Sequence, residues 1–232
     1  SGALISPSIF VTAGHCVGAD SGEDDADTPA FASVWFDEDV DPLADADVYP
    51  LYENATMANN AYTGLPYPHP LYVPDAFFLY DLGVVVLDGI GNTGLSSYAS
   101  LPAEGAVDDL GKGRNKAMVE AVGYGLQKIN PVMVQADRVR LKADLFVVDT
   151  NGVAGRGNLP FDPPTNSMML SGDAKHGGTC FGDSGGPIFI GDTNVIGGVT
   201  SFGLNGNCAG VGGAFRIDRQ LELGFIANPT GG

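Results

Sequence analysis

No lysine or arginine occurs before Lys112. Eighteen acidic residues precede that point, and from it onward 11 bases face 10 acids. The resulting net charge of −17 repels a phosphate backbone, so nucleic acid is not an expected partner. The acids read as the solvated surface of an extracellular or salt-adapted protein. A calcium loop is the weaker reading: Glu23, Asp24, Asp25 and Asp27, or Asp37, Glu38 and Asp39, offer hard oxygens without the EF-hand spacing. Cysteine is equally scarce. Cys16, Cys180 and Cys208 make an odd set with no CxxC pair, which speaks against zinc. Cys180 and Cys208 share a Gly-rich C-terminal region and are candidates for one bridge, which implies an oxidising compartment. Cys16 is then either a free thiol or one whose partner lies outside this chain. No stretch approaches the roughly 20 apolar residues of a membrane helix, and no basic-plus-apolar leader opens the chain.

What is present is turn chemistry and short apolar runs. The chain has 232 residues, 44% of them hydrophobic, with 34 glycines and 15 prolines. That composition describes a globular protein of many short strands. Strands are predicted at Val84 to Leu87, Met118 to Val122, Phe146 to Val148, Ile188 to Ile190 and Val195 to Thr200. Asp20 to Asp47 reads as surface loop with one strand at Phe31 to Phe36. Leu65 to Pro74, with its prolines, reads as extended and irregular. Asp218 to Ile226 is a weak helix candidate. The segment 108–116, DDLGKGRNK, is the boundary candidate, giving domains of residues 1–110 and 111–232.

The stretch GTCFGDSGGP, 178–187, surrounds Ser184 with glycine. A serine hydroxyl is a weak nucleophile and needs a base, and the base needs an orienting acid. Three histidines are available. His69 lies between prolines and reads as structural or solvent-exposed. His176 reads as a loop residue near Ser184. His15, in FVTAGHC, follows an apolar run and is followed by a cysteine that can fix the strand end. Asp81, in YDLGVVVL, opens a buried strand, where a carboxylate must find a partner. Asp75 and Asp88 read as acids at strand ends.

TAGHC, DLGVVVL and GDSGGP, in that order, resemble the trypsin/chymotrypsin family of serine endopeptidases, in its secreted, bacterial-type form. HPLY before Asp81, VGYGL at 122–126 and GVTSFG at 198–203 extend the resemblance over nearly the whole chain. It implies an all-β fold of two antiparallel β-barrels. His15 and Asp81 come from the first and Ser184 from the second. His15 is then the base, Asp81 its partner and Ser184 the nucleophile. The N–H groups of Gly182 and Ser184 form the oxyanion hole. The resemblance also pairs Cys180 with Cys208 across the specificity pocket. It gives Ser201 to Asp81 and lets Phe202 and Gly203 pair with the substrate backbone.

Gly178, six residues before Ser184, corresponds to the pocket base, next to Thr179. Gly203 and Gly213 correspond to its walls. A neutral base disfavours Lys and Arg, and glycine walls suit large apolar side chains, so the expected preference is chymotrypsin-like. Preference for acidic residues ranks second, because Thr200 stands where glutamyl-specific relatives carry histidine. The family's first strand, its activated N-terminus and the cysteine that pairs with the one matching Cys16 all precede the point matching Ser1. The chain therefore reads as N-terminally truncated, its first barrel lacking one strand. Asp183, which in relatives pairs with the new α-amino group, is expected to lack an assured partner and to leave a zymogen-like, poorly active loop. A non-catalytic or zymogen-like binding module on the same fold is the alternative to a protease. No cofactor is expected, protein or peptide substrates are, and the chain is read as a secreted monomer.

Overall fold

A computed structural model describes residues 1–18, 29–40, 61–88, 95, 97–111, 117–130, 133–135, 137–152, 166–173 and 175–231. The calcium reading at Glu23 to Asp27, most of the acidic loop and residues 112–116 lie outside the described residues.

The first half forms a curled sheet of β1 (Ala3–Leu4), β2 (Ile9–Thr12), β3 (Ala32–Val34), β4 (Tyr62–Pro68) and β5 (Gly83–Leu87). Its order is β1-β2-β5-β4-β3, antiparallel throughout. The second half contributes β6 (Met118–Gly123), a hairpin of β7 (Lys128–Asn130) and β8 (Met133–Gln135), β9 (Leu141–Gly152), β10 (Ser167–Ser171), β11 (Pro187–Ile190), β12 (Ile196–Gly203) and β13 (Val211–Arg216). All of these except the hairpin close into a six-stranded barrel, β10-β13-β12-β11-β6-β9. One helix, α1 (Gln220–Ala227), follows. The architecture is the all-β double barrel expected. Leu65 to Pro68 corrects the expectation in detail, because these residues are strand. Pro66 pairs with Val85, while β3 meets only Tyr62 to Gly64. The prolines thus sit where β4 is a sheet edge and no ladder donor is needed.

The apolar runs become strands because each serves a core. In β5, Val84 enters one buried cluster and Val85 the next, since successive side chains face opposite ways. Burying each such side chain contributes about 1.5–3 kcal/mol. The cluster around Val84 also holds Val11, Leu82, Ile196, Val199, Phe215 and Phe225. The two sheets and α1 therefore share one core, and the cleft between the sheets has a fixed floor. A buried Arg216 ties the connecting segment to the barrel. Its guanidinium donates to Asp218, to Asp108 and to the Thr150 carbonyl. Arg219 and Arg216 hold the Asp108 carboxyl down to about 2. With every charged hydrogen bond answered, burial of the arginine is tolerated. Among the described residues no helix is long and apolar enough to cross a membrane.

Candidate active site

β2 ends in a single 3-10 turn, Gly14–Cys16, that presents His15. Asp81 arrives from the other side, one residue after Tyr80, whose φ is +54°. The Asp81 carboxylate is fully buried and fully engaged. The His15 backbone N–H donates to Oδ1 at 2.9 Å. The His15 ring donates from Nδ1 to Oδ2, also at 2.9 Å, and the Ser201 hydroxyl donates to the same oxygen. In the neutral ring this fixes the proton on Nδ1 and leaves Nε2 as the acceptor. Burial disfavours the imidazolium, but the hydrogen bond and charge of Asp81, with Cys16 adding to them, outweigh it and push His15 up to about 10.

Ser184 lies on the loop between β10 and β11. Gly182 there has φ +96° and Gly185 +77°, values that strain any residue with a side chain. Ser184 and His15 line one cleft of about 510 Å³. No hydrogen bond joins the Ser184 hydroxyl to His15 in this state. The Gly182 and Ser184 N–H groups donate to no acceptor among the described residues. Ser1 sits beneath this loop. Its amino group donates to the Ser184 carbonyl at 2.8 Å and its hydroxyl to the Gly182 carbonyl at 2.9 Å.

Asp183 differs from expectation. Its carboxylate accepts the N–H of Gly125 on Oδ1 and of Cys180 on Oδ2, each at 2.8 Å. Backbone amides supply the partners that were expected to be missing. Burial nonetheless pushes its carboxyl above the usual range.

Most of the residues expected around the specificity pocket line two adjoining cavities. Cys180 and Cys208 form a disulfide. Thr179, Ser201, Phe202 and Gly203 line the cleft. Behind Thr179 and Gly203 a recess of about 10 Å³ is lined by Gly178, Gly212, Leu145 and Leu170. Gly213 is not part of it. A Cβ on Gly213 would lie 2.1 Å from the Phe202 ring. Gly213 pairs with Phe202 across the strands and serves as the platform for that ring. Gly212 lines the recess instead, because neighbours on a strand face opposite sides. Among the described residues, His15 is the one lining either cavity that is cationic when protonated, and neither cavity is lined by an aspartate or glutamate.

His176 stands apart from both cavities. Its Nδ1 meets the Asp173 carboxylate at 2.9 Å in an exposed turn. Cys16 is an exposed free thiol. Sequence reasoning missed the aromatic rim of the cleft, Tyr72, Phe77 and Phe181. Phe77 meets the His15 ring edge-on at 5.7 Å. Phe181 lies inside the GTCFGDSGGP motif, and an aromatic residue between its cysteine and glycine was the signal available.

These features describe a chymotrypsin-like double barrel with a cleft between its halves. The family model described as Trypsin matches residues 1–221, and the chain belongs to that family. HL collagenase matches over 99% of this chain and 85% of its own, at 19% identity and a TM-score of 0.68. Human heparin binding protein matches over 98% and 86%, at 19% identity and a TM-score of 0.63. These solved structures are similar to the chain in fold. A comparison with curated proteins finds no match.

Proposed function

We propose that the chain is a secreted serine endopeptidase that cleaves proteins or peptides through an acyl-enzyme on Ser184. One observation carries the reading. A buried carboxylate, Asp81, takes both the backbone and the Nδ1 donor of His15, and His15 and Ser184 line the same cleft. His15 takes the hydroxyl proton as Ser184 attacks the carbonyl carbon. Asp81 stabilises the imidazolium that forms. The developing oxyanion meets the N–H groups of Gly182 and Ser184. The imidazolium then returns its proton to the leaving amine, and water repeats the sequence to release the acid. Covalent labelling of Ser184 by a fluorophosphonate, blocked by Ser184→Ala, tests this directly. Absence of labelling on a folded chain refutes it.

The open Ser184–His15 gap favours the alternative, a non-catalytic binding module. Such bonds commonly tighten only when substrate is bound, so the gap does not decide against catalysis. The heparin-binding neighbour also suggests a ligand-binding role, but a chain of net charge −17 repels a polyanion. The labelling experiment separates the two readings.

The uncharged lining supports a preference for apolar over charged side chains before the scissile bond. A lysine or arginine entering the cleft would find no carboxylate among the described residues. A Cβ on Gly178 would meet its nearest neighbour at 3.5 Å, an ordinary contact. Gly178→Asp is therefore expected to fold and to shift the Arg-to-Phe ratio of kcat/KM by about 100-fold or more toward Arg. Paired peptide substrates differing in that one residue measure it.

The pH profile follows from His15. The base must be neutral, and Asp81 raises the pH at which it becomes so. Activity is expected to climb as pH rises above 6.5 toward about 10. The stability contributed by the pair runs the other way. It is complete below 6.5 and is lost as pH passes through about 10. A kcat/KM profile and a thermal-melt series on the same buffers check both limbs.

A further inference from the structure

His69 is buried, although it lies between two prolines. Its ring stacks on Tyr80 at 5.2 Å with 8° between the planes. Its other side meets Phe225 of α1 edge-on at 5.0 Å. Its Nδ1 accepts the N–H of Leu71 at 3.2 Å, which places the ring proton on Nε2. That Nε2 is buried and has no hydrogen-bond partner among the described residues. A charged ring would turn Nδ1 into a donor facing a donor. Burial alone pushes the imidazole down to about 4, so it is neutral over the working range. Of the two rings that enclose it, Tyr80 is titratable and Phe225 is not, and no charged group contributes to the shift.

The placement matters because His69 holds both neighbours of Asp81. Its ring lies on Tyr80, and its backbone N–H donates to the Leu82 carbonyl at 2.8 Å. Tyr80 has a left-handed backbone, which costs of order 1 kcal/mol and persists only where the surroundings impose it. That turn aims Asp81 at His15. We propose that His69 is a positioning residue for Asp81, holding the Tyr80 turn in place and tying it to the C-terminal helix through Phe225. The inference rests on the proposed triad. It adds a route by which α1, distant in sequence, sets the geometry of the acid.

His69→Ala removes the stack, and His69→Phe keeps an aromatic ring between Tyr80 and Phe225 without a titrating group. The readouts are the NMR titration of the His15 ring and, separately, kcat and KM on an apolar peptide ester. For His69→Ala the proton affinity of His15 is expected to fall about tenfold as Asp81 is misplaced. Its kcat is expected to fall about 100-fold with KM nearly unchanged, as for a misplacement of ~1 Å. His69→Phe restores both. A folded His69→Ala chain with an unchanged His15 titration overturns the proposal. So does a His69→Phe chain as impaired as the alanine variant. Should the alanine variant not fold, Tyr80→Gly removes the same stack while accepting the backbone angle, and an unchanged His15 titration there is equally fatal. The titration requires no turnover, so a wild-type chain that hydrolyses nothing refutes the protease reading while this test still decides the role of His69.

Discussion

Replacing Asp81 by asparagine is expected to lower kcat about 10⁴-fold with little change in KM, the loss typical of this exchange in Ser-His-Asp triads. The reason is a count of donors. Three protons point at Asp81, from the His15 backbone, the His15 ring and Ser201. An amide offers one oxygen and two further donors in place of two oxygens. The His15 ring relieves the conflict by moving its proton to Nε2, and a ring protonated there cannot accept from Ser184. The same exchange removes the charge that raises His15, so the residual activity is expected to titrate at lower pH. Stopped-flow kinetics across pH, with a melt to show that the fold survives, make the measurement. An asparagine variant within tenfold of wild type would mean that Asp81 does not orient the base.

The three residues of the proposed triad stand out in the sequence because their signals are local. Each member sits in a short segment whose small or apolar neighbours already describe a turn or a strand end. Strands such as β5 and β11 were legible for a similar reason, since an apolar run bounded by turn residues has few alternatives. The failures are all questions of facing or distance. Gly212 and Gly213 cannot be told apart without knowing which face of β13 meets the pocket, and a shift of one residue exchanges them. Pro66 and Pro68 looked like breakers because the edge position that tolerates them is a property of the sheet. For His69 the choice between structural and solvent-exposed stayed open because the helix that packs on it follows more than a hundred residues later. Arg216 is satisfied by Asp108, an acid likewise remote in sequence.

Asp183 belongs with those long-range cases and leads to the second large effect. Its carboxylate rests on a floor made by two glycines of the VGYGL segment. A Cβ on Gly123 would stand 2.1 Å from Oδ1, and one on Gly125 would stand 2.5 Å from Oδ2. Neither contact is tolerable, and the carboxylate would have to move. Moving it breaks the hydrogen bonds from Gly125 and Cys180 that hold the 180–184 turn. That turn places the Gly182 and Ser184 N–H groups, so the proposed oxyanion hole would lose a donor. Gly123→Ala is therefore expected to reduce kcat about 100- to 1,000-fold. It is also expected to lower stability by about 1–3 kcal/mol, because a buried carboxylate loses its partners. The recess behind Thr179 and Gly203 touches neither glycine, so a reversible apolar inhibitor should bind the variant nearly as well as wild type. A fall in fluorophosphonate labelling rate with inhibitor affinity retained is the expected pair of results. Loss of both together would place the damage in the whole second barrel, and unchanged labelling would show that the amide cradle of Asp183 does not set the oxyanion loop.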